Sequence, residues 1–167
     1  LGQYGVPADA LMLEITESAI MWDPARARAI LQTLRAMGIE ISIDDFGTGH
    51  SSLAYLSRLP VSELKIDRTF VQGMLSRDID RTIVRATVDL GHNLGLKVVA
   101  EGVESVEEFE ALTAIGCDLV QGYLLGRPVH AAEMERLLAV GRVPLPTASE
   151  RRQRPALVDG EDLQTRA

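Results

Sequence analysis

Hydrophobic and polar residues alternate along several short stretches of the chain, and segments with helical spacing separate these stretches. The alternation predicts β-strands at residues 11–16, 40–44, 63–67, 97–101 and 118–121. Helical spacing predicts a helix at residues 24–37, which stops at Gly38, and a longest helix at residues 79–94. The chain therefore reads as a series of about five βα units.

A series of this kind calls for parallel strands covered by helices, and hence for an α/β fold. The chain has 167 residues, of which 46% are hydrophobic, and this suffices for one domain with a real core. We expect that domain to occupy residues 1–140. From Gly141 onwards, prolines, arginines and acids replace the periodic apolar residues, so residues 141–167 are expected to form a disordered tail.

Each predicted strand ends in a polar residue on one consistent face. Because side chains alternate along a strand, apolar residues such as Ile41 and Ile43 share the face that packs under the helices, and the polar residues share the other face. The polar residues are Glu14, Asp44, Lys65, Glu101 and Gln121. They are expected to converge at the carboxyl ends of the strands, where parallel (β/α) barrels build their sites.

Three of these residues are carboxylates, and Asp45 adds a fourth next to Asp44. Acids crowded on one rim repel one another unless cations lie between them. An all-oxygen ligand set without His or Cys suits Mg²⁺ or Mn²⁺. Two such ions about 3.5–4 Å apart hold a phosphate and activate water. With Asp44 as the natural bridge and Lys65 near the phosphate or the water, the pattern indicates metal-assisted phosphodiester hydrolysis.

Charge and cysteine usage narrow the possible partners and compartment. A formal charge of −7 argues against a groove for DNA or RNA polymers. No stretch has the length and apolar character of a membrane span, and no secretory signal opens the chain. Cys117 is the only cysteine, which excludes an internal disulfide and fits a reducing compartment, so a cytoplasmic location is expected.

Five motifs together resemble the EAL domain family, the phosphodiesterases that cleave cyclic di-GMP to linear pGpG. They are "LEITES", "DDFGTGHSSL", "LKIDRTFV", "VVAEGVE" and "QGYLLGRP", and they occur in the family's order and spacing. The resemblance covers residues 4–138 and implies a TIM-like barrel with two metal ions, Mg²⁺ or Mn²⁺.

The resemblance also implies a role for each matching residue. Asp44 would be shared between the two ions, Lys65 would contact the nucleophilic water or the substrate phosphate, and Gln121 would support the metal and water network. Glu17 looks like the residue that anchors the "DFGTG" loop, and Glu104 looks like an acid that supports the metal ligands from behind. The metal ligands implied by motif position are Glu14, Asp44, Asp45 and Glu101.

The chain departs from the family pattern at its start and in one loop. The Glu-Ala-Leu segment, a metal-binding Asn and an arginine that grips phosphate are absent, and His50 stands where the family usually has Tyr. The chain thus looks like the C-terminal five βα units of an eight-strand barrel. We expect impaired hydrolysis by this chain alone. In the intact protein we expect a homodimer and an upstream sensory or cyclase domain. Regions upstream of this chain could also anchor the intact protein in a membrane.

Other interpretations stay open at this point. A degenerate EAL domain would bind cyclic di-GMP or a protein partner without catalysis. The letters "DFG" occur in protein kinases, but no kinase catalytic-loop pattern accompanies them here. The three histidines are scattered without metal-ligand spacing. Trp22 is expected to pack under the first helix rather than to stack on a base.

Overall fold

The structure is a computed structural model that describes residues 1–48 and 53–141. The chain divides into two compact units, Leu1–Arg127 and Pro128–Ala167. The first unit contains all the strands of the described residues, and the second contributes one described helix. His50 and the predicted tail beyond Gly141 lie outside the described residues.

Five parallel strands form a single sheet in the first unit. The sheet follows chain order, so each strand pairs with its sequence neighbours, as βα units require. The strands are β1 (Met12–Thr16), β2 (Glu40–Phe46), β3 (Glu63–Ile66), β4 (Lys97–Ala100) and β5 (Leu119–Val120). All five predicted strands are confirmed, with β2 extending two residues beyond its predicted end.

The helices connect successive strands and then close the described chain. They are α1 (Glu17–Trp22), α2 (Pro24–Ala36), α3 (Leu53–Leu56), α4 (Arg68–Gly73), α5 (Asp78–Asn93), α6 (Val106–Ile115) and α7 (Ala131–Val140). The start of α2 is set by the Asp23 side chain, which accepts a hydrogen bond from the Arg26 N–H, with Pro24 at the first helical position. Ser105 and Glu108 form a capping box at the start of α6.

The core lies between the helices and one face of the sheet. One cluster joins Ile41, Ile43 and Leu64 to Ile20 of α1 and Leu31 of α2. A second cluster joins strands β3 and β4 to helices α4, α5 and α6. The opposite face of the three central strands carries Ser42, Lys65 and Val99, which are buried but belong to neither cluster. In the three central strands the predicted apolar outer face is thus confirmed, while the inner face holds the polar Ser42 and Lys65 together with the apolar Val99.

The expectation for Trp22 was wrong, because its side chain is 93% exposed. The buried residues of α1 are Glu17 and Ile20, which lie three positions apart and therefore share one helix face. Trp22 ends the helix on another face, just before Asp23 begins α2. Among the described helices, none combines the length and the apolar character needed to span a bilayer.

Candidate metal and catalytic site

Lys65 lies at the centre of the acidic residues that end the strands. Its ammonium Nζ is 2.8 Å from Glu14 Oε1, 3.2 Å from Asp44 Oδ1 and 2.5 Å from Glu101 Oε1. These residues belong to β1, β2, β3 and the position just after β4, so parallel pairing delivers them to one end of the sheet. The Lys65 side chain is only 4% exposed, whereas Glu14 at the sheet edge is 49% exposed. The predicted convergence of these four residues is confirmed.

A β-bulge brings Asp45 to the same place as Asp44. The pairing of β2 with β3 is regular at Ile43 and Leu64 but shifts before Phe46, which pairs with Ile66. Two residues, Asp44 and Asp45, thus stand opposite the single residue Lys65. Asp45 has a φ of 55°, in the left-handed region. In a regular strand these two neighbours would face opposite sides of the sheet, and the bulge removes that constraint.

Three carboxylates form a group with the dimensions of a metal site. Asp44, Asp45 and Glu101 each offer an oxygen, and the three oxygens all lie within 4.8 Å of one another. Glu14 joins the same cluster through Lys65. The donor set consists of hard carboxylate oxygens, which are the ligands that Mg²⁺ and Mn²⁺ prefer. The residues present therefore fit a divalent ion.

The electrostatics of the cluster reflect burial first and the crowding of like charges second. Burial, supported by the charges of Asp44 and Glu14, raises the pKa of Glu101 although Lys65 opposes the shift. Burial also raises the pKa of Asp45, and the neighbouring charges of Asp44 and Asp67 add to this effect.

For Lys65, the hydrogen-bond partners decide whether the pKa of the ammonium is raised or lowered. Burial alone would lower the pKa of the ammonium, but its hydrogen bonds to Glu101, Glu14 and Asp44 outweigh burial and raise it. A single ammonium thus serves three carboxylates, Glu14, Asp44 and Glu101.

The segment after Asp45 is tied to α1. The Gly47 N–H donates to Glu17 Oε2 over 3.2 Å, and Glu17 is 2% exposed. Gly47 has a φ of +98°, and a Cβ built there would lie 3.1 Å from the Phe70 ring. Glycine is therefore favoured by conformation, and a larger residue would also press on the Phe70 ring. The Thr48 hydroxyl also donates to the Asp45 carbonyl over 2.8 Å. Glu17 thus lies where a residue that anchors this loop should lie.

Gln121 and Glu104 line a cleft beside Glu101 rather than contacting Lys65. The cleft has a volume of about 210 Å³. Gln121 is exposed, and its backbone N–H donates to the Ala100 carbonyl over 2.9 Å. Glu104 Oε1 accepts a hydrogen bond from Gln72 Nε2 over 3.3 Å. The two residues are thus adjacent to the acidic cluster, through Glu101, without joining it.

Sequence reasoning missed four residues in and around the site. Arg68 and Tyr123 line the cleft, and the Arg127 guanidinium lies 4.6 Å from the centre of the Tyr123 ring. Asp67 caps α4 by accepting the Thr69 N–H over 2.9 Å and lies near enough to affect Asp45. Asp67 and Arg68 directly follow Ile66, the last residue of β3, so their position just past a strand end was the available signal.

Comparison with known sequences agrees with the resemblance that the five motifs indicate. The sequence model of the EAL domain family matches residues 1–128. The bifunctional diguanylate cyclase/cyclic di-GMP phosphodiesterase MucR of Pseudomonas aeruginosa is 56% identical over 137 residues, which make up 82% of this chain and 20% of MucR.

Solved structures resemble the fold closely. The PaMucR phosphodiesterase in complex with c-di-GMP matches with a TM-score of 0.78 and 51% identity, covering 80% of this chain and 54% of that chain. BlrP1 of Klebsiella pneumoniae, in a complex with manganese and cyclic di-GMP, matches with a TM-score of 0.72 and 36% identity, covering 77% of this chain and 33% of that chain. The likeness confirms the predicted α/β fold of the TIM-barrel type, and the chain spans about half of these relatives or less.

Proposed function

The chain belongs to the EAL domain family, and from this membership we propose that it is a cyclic di-GMP phosphodiesterase module that yields linear pGpG by two-metal catalysis. The observation that carries the proposal is the convergence of Glu14, Asp44 and Glu101 on Lys65, with Asp45 beside them. A relative that is 56% identical is named as a cyclic di-GMP phosphodiesterase. Solved relatives carry manganese or calcium together with cyclic di-GMP.

The reaction adds water across one phosphodiester of the ring. The water oxygen forms a bond to phosphorus, the bond from phosphorus to the 3′ oxygen breaks, and that oxygen takes up a proton. The product is a linear dinucleotide with a 5′ phosphate. Divalent ions, when bound, supply positive charge that polarises the phosphate and lowers the pKa of the attacking water.

The residues of the chain have distinct parts in this proposal. Asp44 would be the ligand that two ions share, and Lys65 orients the attacking water or neutralises the phosphate. Gln121 supports the water network from the cleft. Glu17 holds the loop after Asp45, and Glu104 supports the site from behind Glu101. The metal ligands are Glu14, Asp44, Asp45 and Glu101.

Mg²⁺ and Mn²⁺ are both compatible with this donor set, and the choice between them stays a prediction. Homodimer formation, an upstream sensory or cyclase domain and a cytoplasmic location also stay predictions of the sequence. Retention of all four carboxylates and of Lys65 favours catalysis over a receptor role, because a receptor that only binds the dinucleotide does not require a complete metal-binding rim.

A single-turnover assay tests the proposal even if hydrolysis is slow. The protein is held in excess over cyclic di-GMP with Mn²⁺, and the formation of pGpG is followed by chromatography. We expect conversion that requires the metal and that falls on the order of 100-fold in Glu101→Gln, while circular dichroism shows that the variant stays folded. Glu107→Gln, the same change at an exposed position on α6, is the matched control and should convert at the unaltered rate.

Two outcomes would contradict the proposal. Equal rates in the Glu101 and Glu107 variants would remove the acidic cluster from the chemistry. Binding of cyclic di-GMP without any conversion would replace the phosphodiesterase with the receptor that the sequence left open.

A further inference from the structure

Three of the four clustered carboxylates share one ammonium group. Lys65 Nζ lies 2.8 Å, 3.2 Å and 2.5 Å from oxygens of Glu14, Asp44 and Glu101. The lysine side chain is 4% exposed, so water contributes little to satisfying the ammonium. Its three N–H donors are matched by three carboxylates. Lys65 thus has the position and the partners of a bound cation.

Two of the same carboxylates, Asp44 and Glu101, are among those that would hold a divalent ion. Asp44 Oδ1 accepts from Lys65 Nζ and also from the Asp45 N–H over 3.1 Å. Both lone pairs of this oxygen are therefore occupied by donors. Glu101 is likewise the closest partner of Lys65 and a member of the group with metal-site dimensions. A metal ion that takes these oxygens must displace the ammonium from at least part of its contacts.

The net charge of the cluster favours replacement of the Lys65 ammonium by a divalent ion. Four carboxylates and one ammonium leave the cluster with a net charge of about −3, which favours a divalent ion over a monovalent one. A divalent ion and an ammonium held on the same oxygens repel each other strongly at such short range in a partly buried site. The two cations therefore compete for one position rather than adding to one another.

We propose that Lys65 is the internal counter-ion of the metal-free site, which holds Glu14, Asp44 and Glu101 together until a divalent ion displaces it. The inference rests on the proposed function and adds to it a control on metal loading. The affinity of the site for metal is lowered by the ammonium that must leave. Once displaced, that ammonium becomes available to the phosphate or the attacking water, so its part in the reaction begins only after the metal binds.

The chain offers a matched pair of variants, because its two lysines are Lys65 and Lys97. Lys97 is exposed at the start of β4, at the opposite end of that strand from Glu101. Lys65→Met and Lys97→Met therefore make the same side-chain change and the same change in net charge. The experiment measures Mn²⁺ binding by calorimetry and by electron paramagnetic resonance at neutral pH, with melting curves in the presence and absence of the metal.

We expect Lys65→Met to bind Mn²⁺ on the order of tenfold more tightly than the unaltered chain. The same variant should melt at a lower temperature without metal, because its carboxylates have lost their counter-ion, and should gain more from added Mn²⁺. Lys97→Met should match the unaltered chain in both respects.

A second measurement covers the case in which Lys65→Met does not fold. The unaltered protein, labelled with ¹⁵N at lysine Nζ, gives side-chain signals from two residues only. Titration with diamagnetic Mg²⁺ should shift the Lys65 signal in proportion to occupancy and leave the Lys97 signal in place.

The outcomes separate the two proposals. Equal or weaker Mn²⁺ binding by a folded Lys65→Met, or a Lys65 signal that does not move at saturating Mg²⁺, overturns the counter-ion inference and leaves the phosphodiesterase proposal standing. Absence of metal binding in the unaltered chain and in both variants overturns the two together. Binding by Lys65→Met alone supports the inference.

Discussion

Asp45 adopts a backbone conformation that few residues other than glycine tolerate. Its φ is 55°, and it follows Asp44 within the bulge that distinguishes β2 from the other strands. Aspartate and asparagine enter the left-handed region more readily than most residues because their short polar side chains bond locally. Asp45 thus meets two requirements at one position: it adopts a left-handed backbone conformation and it carries a carboxylate charge.

Substitutions at Asp45 separate these two requirements. We expect Asp45→Gly to unfold with a free energy about 1 kcal/mol higher than that of Asp45→Ala, because alanine is strained at positive φ. Asp45→Asn should keep the fold but lose much of the stabilisation that Mn²⁺ gives, because it keeps the conformation and loses the charge. Denaturant unfolding and metal-dependent melting measure the two effects, and an alanine variant as stable as the glycine variant would contradict the strain argument.

Asp45 also shows which feature of the site could not be predicted from the sequence. Strict alternation along β2 predicts Asp44 on the inner face and correctly joins it to Glu14, Lys65 and Glu101. Strict alternation would also place Asp45 on the outer face. No local sequence pattern predicted the bulge that places Asp45 beside Asp44 instead. The expected role of Asp45 came from its position next to Asp44 in the chain and from the resemblance to the EAL family, not from strand alternation. Whether each residue has its expected chemical role stays a prediction.

At the scale of elements, one carboxylate connects three parts of the fold at the end of the sheet opposite to the site. Asp118 Oδ2 accepts the Val98 N–H of β4 over 2.8 Å and lies 3.0 Å from His92 Nε2 at the end of α5. Asp118 itself directly precedes β5. Although its partial burial opposes the effect, the hydrogen bonds from Val98 and His92 lower the pKa of Asp118.

This arrangement predicts a pH-dependent contribution to stability. A carboxyl group with a lowered pKa in the folded protein stabilises it above the pKa of the unfolded chain, near 3.9 for Asp, and the contribution is lost as the pH falls through the folded value. The stability difference between the unaltered chain and Asp118→Asn should therefore be present at pH 6 and shrink towards pH 3. Urea unfolding at several pH values measures it, with Asp89→Asn on the exposed face of α5 as control. A difference that is independent of pH would show that the carboxylate charge is not involved.

Elements were easier to predict than residues because their signals are repeated along the chain. Helix α5 has sixteen residues with a strong apolar period and was predicted to within one residue at each end. The six-residue helix α1 was not predicted as an element, because so short a segment shows less than two turns of periodicity. Trp22 was misplaced for the same reason, since the face of a short helix is set by what it packs against.

At the scale of the whole molecule, the described residues form an open sheet with β1 and β5 at its edges. On the inner face, side chains of the central strands are buried, as at Ser42 and Lys65, while Met12 on β1 is 39% exposed and Leu119 on β5 is 47% exposed. A closed barrel has no such edges, because each strand has two neighbours. Within the part of the chain that the structure describes, strands thus wall this inner face on one side only.

An open inner face should slow catalysis more than it weakens metal binding. The candidate ligands Asp44, Asp45 and Glu101 lie together within this chain, whereas substrate bound across the mouth of a barrel is oriented by the whole rim. Misplacement of the reacting groups by about 1 Å reduces rates by about 100-fold. We therefore expect this 167-residue chain to convert cyclic di-GMP at least ~100-fold more slowly than the phosphodiesterase domain of MucR, although Mn²⁺ raises its melting temperature. The test compares the hydrolysis rates of both proteins under the same conditions. Asp44→Asn serves as the inactive reference. Equal rates would mean that these five strands orient the dinucleotide without an opposite wall.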